Sequence, residues 1–194
     1  LELLGTLQAW VARSSRAEQR NASFVRSHLL REPPARMTHP LGLRYPGLFT
    51  VLGCDVPRTT VRLGETLDVT CYYQVDGTTD DDLFFRVTFD GPPGWSAPRD
   101  MHAMHYPLHG RYHTNQWRAG EIIRDPMPIP LPSYATPADV WLTFAVQAPH
   151  RDGGPLVSYE QYGRPGTSAR IARIRLLPPE GSGEDAGAPR SGEP

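Results

Sequence analysis

The chain has 194 residues, a formal net charge of -1 and 39% hydrophobic residues, which suits one well-buried domain with extensions rather than two large ones. So even a balance supplies no basic field for nucleic acid and no acidic imitation of it. All 20 basic residues are arginine, so its cationic surface offers planar, two-pronged donors to carboxylates, phosphates or sugars.

In chain order, Leu3, Leu4, Leu7, Trp10 and Val11 recur at helical spacing, with a weaker continuation through Phe24, Val25 and Leu29. Residues 1–31 therefore read as helix, and Pro33-Pro34 ends it. Two readings of the opening stretch stand side by side. It has the form of the last turns of a membrane helix entering an arginine-rich collar, RSSRAEQR, or of an amphipathic helix that packs on the domain or self-associates. No window reaches the roughly 18 consecutive apolar residues of a bilayer span, and a leading leucine without a charged-then-apolar leader reads as a fragment or processed product. Residues 32–47, rich in Pro and Gly, read as a linker.

The period then changes to two. Leu67, Val69, Cys71, Tyr73 and Val75 alternate with polar or outward residues, as do Leu83, Phe85, Val87 and Phe89, then Val140, Leu142, Phe144 and Val146, then Ala172, Ile174 and Leu176. Residues 49–54, 122–131 and 156–159 are weaker strands. Turn signals separate them, at Leu63-Gly64-Glu65, Asp76-Gly77, Asp90-Gly91-Pro92-Pro93 and Asp152-Gly153-Gly154. The 21 prolines argue against long helices through the middle of the chain. About seven short strands without intervening helices point to an antiparallel, immunoglobulin-like β-sandwich over residues 48–178. Residues 179–194 lack the apolar content to offset chain entropy and read as disordered.

Several groups of residues could carry chemistry. Cys54 and Cys71 lie on consecutive strands, about equally far from the turn at 62–64, where a bridge or a free buried thiol are both open. A bridge would suit an oxidising compartment. His102, His105, His109 and His113, with Met101 and Met104, are ligands suited to copper or zinc. Pro107 and Gly110 break any helix that would align them, so a structural crossover is the preferred reading of this stretch. Asp80-Asp81-Asp82 reads as a solvated turn, since its spacing misses the calcium-loop pattern. No nucleophile elbow and no phosphate-cradling glycine loop is present. Trp95, Tyr106, Trp141, Tyr159 and Tyr162 fall in loops or on outward strand positions and could stack on a glycan or a protein partner. Trp117 and Tyr112 read instead as plugs for the open end of the sandwich.

The runs LFTVLGCDV, VRLGETLDVTCYYQV and DLFFRVTFDG, followed by Pro107, Gly110, Tyr112, Thr114, Trp117, Gly120, Glu121, Asp125 and the IPLP run at 129–132, carry a resemblance. Over residues 48–146 the chain resembles the β-sandwich domain at the end of some bacterial multi-span membrane glycosyltransferases of the protein-mannosyltransferase type. Cys54 stands in place of that pattern's tyrosine and His113 in place of a proline. The resemblance implies a non-catalytic accessory or scaffolding module on the extracytoplasmic (periplasmic) face. It also implies structural roles for Trp117 and Glu121, and an N-terminal helix contacting a membrane protein complex. The arginines after that helix pull the other way, because positive residues favour the cytoplasmic side.

Overall fold

The structure, a computed structural model, describes the backbone of residues 2–148, 157–158 and 168–181 and the side chains of residues 14–147 and 168–181. Tyr159, Tyr162 and the tail beyond residue 181 lie outside the described residues. Helix α1, Glu2–His28, runs straight into a two-residue strand β1, Leu29–Leu30. The remaining strands are β2 His39–Tyr45, β3 Phe49–Asp55, β4 Thr60–Arg62, β5 Thr66–Val75, β6 Phe84–Asp90, β7 Ala103–His105, β8 Ile122–Pro130, β9 Asp139–Ala148, β10 Val157–Ser158 and β11 Ala169–Leu177. Among the described residues no helix is long and apolar enough to cross a membrane.

The fold is mainly β, with two sheets. One has the order β1-β8-β5-β3-β2; the other runs β4-β11-β9-β6-β7, with β10 beside β9. Neighbours are antiparallel, except that β4 runs parallel to β11. The period of two explains the layering. Leu67, Val69, Cys71, Tyr73 and Val75 of β5 are all buried, and Leu142, Phe144 and Val146 of β9 answer them from the second sheet. In β11 a bulge between Arg170 and Ala172 turns both Ile171 and Ala172 inward before alternation resumes at Ile174 and Leu176. The interior holds a nest of rings: Phe49, Tyr73, Phe85, Trp117 and Phe144 lie with centroids 4.9 to 6.1 Å apart.

Three features correct the sequence reading. Residues 39–45, read as linker, form β2 on the edge of the first sheet. Leu29 and Leu30, read as helix, leave it to pair with Ile123 and Ile122 of β8. Thr60–Arg62 and Ala103–His105 add short edge strands to the second sheet. The prolines of β8 also find their reason. Pro126, Pro128 and Pro130 take alternate positions opposite Thr70, Asp68 and Thr66 of β5. β1 covers only the first two residues of the other edge, so the prolines blunt the rest against further pairing.

Candidate functional site

The polar chemistry concentrates in the crossover from β6 to β8. Its centre is Asp125, the fourth residue of β8, which points inward between Ile123 and Met127 and is completely buried. A carboxylate there needs donors, and it has three. The Tyr73 hydroxyl donates to Oδ2 at 3.2 Å, His105 Nε2 lies 3.2 Å from the same oxygen, and the Leu108 N–H donates to Oδ1 at 3.0 Å. Burial, then the charge of Asp125, pushes the Tyr73 phenol well above its ordinary pKa, so it remains a donor.

The third donor fixes an unusual turn. Leu108 and His109 have φ of 54° and 56°, a left-handed conformation that costs non-glycine residues roughly 1–2 kcal/mol each. Gly110 continues it at φ 73°. Burial of the Leu108 side chain and the bond from its N–H to Asp125 compensate for that cost. The turn sets the His109 ring beside His105, centroids 5.2 Å apart. Burial and the neighbouring His105 lower the His109 pKa, with Asp125 opposing them.

Further along, Tyr112, His113, Thr114 and Glu121 are bound to other parts of the crossover or to the segment before β6. The Thr114 hydroxyl accepts from the Leu83 N–H at 2.7 Å and donates to the Asp81 carbonyl at 2.8 Å. His113 Nδ1 lies 2.6 Å from Asp82 Oδ2. The Tyr112 hydroxyl donates to Glu121 Oε2 at 2.7 Å, and the same oxygen accepts the Arg118 N–H at 3.0 Å. Burial, reinforced by Glu121, raises the Tyr112 pKa. Trp117 is 3% exposed, and its Nε1 donates to the Tyr112 carbonyl at 3.1 Å. Trp117 and Tyr112 therefore cap one end of the core.

These positions separate the four imidazoles that a copper or zinc site would need together. His105 turns in to Asp125, His109 stands beside it, and His113 is taken by Asp82, while His102 makes no contact with the other three rings. Among the described residues no three His, Cys, Asp or Glu side chains converge as metal ligands. In the aspartate run, the Asp81 N–H binds Thr79 Oγ1 and Asp82 holds His113 through Oδ2, while its buried Oδ1 has no hydrogen-bond partner.

The candidate contact aromatics fare differently. Trp95 folds over Gly91, where a Cβ would meet its ring, and its Nε1 donates to the Thr136 carbonyl at 2.9 Å. Tyr106 is packed between Phe84 and His113, centroids 5.0 Å to each. Trp141 is 37% exposed, with the Arg170 guanidinium 5.1 Å from its ring centre. Tyr134, at 70%, is the more exposed ring. Cys54 and Cys71 face each other across β3 and β5 and are joined as a disulfide.

Asp125 is the residue whose importance the spacing of ligand types missed. A signal was present: in IIRDPMPIP it occupies the inward parity of a strand otherwise lined by Ile123, Met127 and Ile129. No known protein-family profile matches the chain, and no curated protein matches it.

Proposed function

We propose that this chain is a non-catalytic accessory module, carried on a helical stalk in a membrane-associated assembly on the extracytoplasmic side, where it binds a protein partner or a glycan. The observation that carries this reading is α1. Residues 15–23 of the helix are all exposed, more than two turns at about 3.6 residues per turn. A helix polar all round makes no core and serves to bridge solvent between folded parts. Among the described side chains of α1, Phe24 and Val25 of its last turns pack on the sandwich, followed by Leu29 of β1. The apolar Leu3, Leu4, Leu7, Trp10 and Val11 lie at the far end of the stalk, where they would meet the assembly.

The strand order supports an immunoglobulin-like topology: β3, β5 and β8 oppose β4, β11, β9, β6 and β7, with β1 taking an edge position beside β8. The resemblance to the sandwich domain of membrane glycosyltransferases gains support from the crossover. Tyr112, Thr114, Trp117, Glu121 and Asp125 all serve its internal bonding, as expected of a motif that specifies a structure. The Cys54–Cys71 bridge favours an oxidising compartment, though weakly. On the outer face of the second sheet, Trp141 with Arg170 is the favoured contact for a sugar ring or an aromatic partner residue.

The test is removal of residues 1–20 from the full chain, followed by thermal melting and fractionation against membranes of the source cell. The shortened protein is expected to melt as the full chain does and to lose membrane association. An unfolded product, or association that survives the deletion, would refute the reading.

A further inference from the structure

An open groove of about 580 Å³ lies between the last turns of α1 and the crossover. Three arginines reach it from two elements: Arg26 from α1, and Arg111 and Arg118 from the crossover. Asn21 and Gln116 add side-chain amides. The arrangement is held in place locally. The Arg111 guanidinium lies 4.4 Å from the centre of the Phe24 ring, and Asn21 Nδ2 donates to the Arg111 carbonyl at 3.3 Å. Among the described residues none of these three guanidiniums has a carboxylate within ion-pair distance. Glu121, the carboxylate in the lining, is committed to the Tyr112 hydroxyl and the Arg118 N–H. The lining thus carries three positive charges, that of Arg111 held over Phe24 and those of Arg26 and Arg118 on exposed side chains, against one bonded negative charge. Beside Asn21 and Arg26, an apolar strip of Ala22 and Val25 from α1 and Leu29 from β1 completes the lining.

We infer that this groove binds a phosphate ester, with its oxyanion between Arg26 and Arg118 and its organic part along Val25 and Leu29. Guanidinium forks match phosphate oxygens two at a time, and such charge-assisted bonds are about twice as strong as neutral ones. A bare cation cluster would suit any anion, whereas the apolar strip selects one that carries a carbon skeleton. The inference is independent of where the stalk leads. The same chemistry could come from a soluble phosphomonoester or from a lipid headgroup.

The full chain is titrated with glycerol 3-phosphate and with inorganic phosphate by calorimetry, and sedimented with vesicles of phosphatidylglycerol or of phosphatidylcholine. The Arg26→Gln/Arg118→Gln double variant and Arg44→Gln, a change on β2 outside the groove, are measured beside it. Saturable binding of glycerol 3-phosphate, tighter than that of inorganic phosphate, is expected. It should weaken about tenfold or more in the double variant and stay unchanged in Arg44→Gln. Binding to phosphatidylglycerol vesicles alone, lost in the double variant, would assign the lipid headgroup as the source. Thermal melting of the double variant should match the unaltered chain, because neither side chain holds an ion pair among the described residues. No binding to either probe, or binding that is equal in the double variant and in Arg44→Gln, overturns the inference.

Discussion

Replacing Asp125 by Ala removes the acceptor for three donors at once. The Tyr73 hydroxyl and the Leu108 N–H are fully buried and gain no water when it goes; the His105 side chain, 14% exposed, can regain some. An orphaned buried donor costs about 1–3 kcal/mol, so the two inaccessible ones alone set a loss of about 2–6 kcal/mol. Relief of the desolvation of a buried charge works in the opposite direction and keeps the sum below the full tally. At this size each kcal/mol moves the melting midpoint by about 2–4 °C, which places the Asp125→Ala variant roughly 4 to 24 °C below the unaltered protein. Asp125→Asn provides the contrast. Its amide oxygen can still accept from Leu108, while the NH2 can donate to the Tyr73 oxygen or to a neutral His105, so a cost of about 1–2 kcal/mol is expected. Urea denaturation followed by circular dichroism, with the disulfide intact, measures both. A loss under about 1 kcal/mol for Asp125→Ala, less than one orphaned donor should cost, would refute the assignment of this carboxylate as the organiser of the crossover. Equal losses for Ala and Asn would show that charge, rather than the count of hydrogen bonds, sets the cost.

Trp117→Ala should cost about 3–5 kcal/mol in the same assay, since the ring lies 5.5 to 5.9 Å from Phe49, Tyr73 and Phe85 and is 3% exposed; an unchanged midpoint would remove it from the core. Reducing and blocking Cys54 and Cys71, separated by 17 residues, should lower stability by about 3 kcal/mol through the freed entropy of the unfolded chain, and a negligible change would mean that β3 and β5 keep their register unaided. His109 gives a pH dependence. Its pKa in the fold lies below the ordinary 6.5, so the unfolded chain takes up the proton first, and stability falls as pH drops through that window while staying flat above it. His105, Asp125, Arg111 and His28 are the charged or titratable groups that face it. Asn tolerates the left-handed turn, so His109→Asn should melt no lower near neutrality and show a shallower loss between about pH 7 and about pH 5; an identical acid slope would place the titration elsewhere.

Strands whose burial repeats every second residue were legible because one local rule decides them. In β5, β6 and β9 the residues that the alternation names are all buried, with Tyr72 and Thr143 of the opposite face covered as well. β2 was hidden because Pro40 and Gly42 look like linker residues. The strand accommodates them with a register shift between Pro40 and Leu43 and a Gly42 φ of 61°, a bulge tolerated on an edge. β1 was hidden for another reason: Leu29-Leu30 continues the helical period, and only the open edge of β8 draws it out. The groove had no sequence signature at all, since Arg26 lines it with Arg111 and Arg118 through packing of segments some 90 residues apart, as the bond from Asn21 to the Arg111 carbonyl records.

The histidines show most directly where nearness in sequence fails as a guide to chemistry. Strand parity decides the first step: in β7, Ala103 is buried, Met104 faces out, and His105 returns to the interior where Asp125 waits. The left-handed turn at Leu108 and His109 then reverses the chain, so that His109 abuts His105 but stays exposed. Four residues on, His113 is drawn away by Asp82, 31 positions earlier in the chain. A loop free to wrap an ion would keep its side chains uncommitted until the ion arrived; this one uses carboxylates of two strands' neighbourhoods to commit two of its imidazoles in advance. To gather His105 and His113 around a metal, the fold would have to give up the bonds to Asp125 and Asp82. The first of these leaves a fully buried charge short of a donor, a loss of about 1–3 kcal/mol that ligation elsewhere would first have to offset. The same carboxylate that stabilises the turn therefore works against the metal reading, and the two follow from one placement of Asp125 on the inward face of β8.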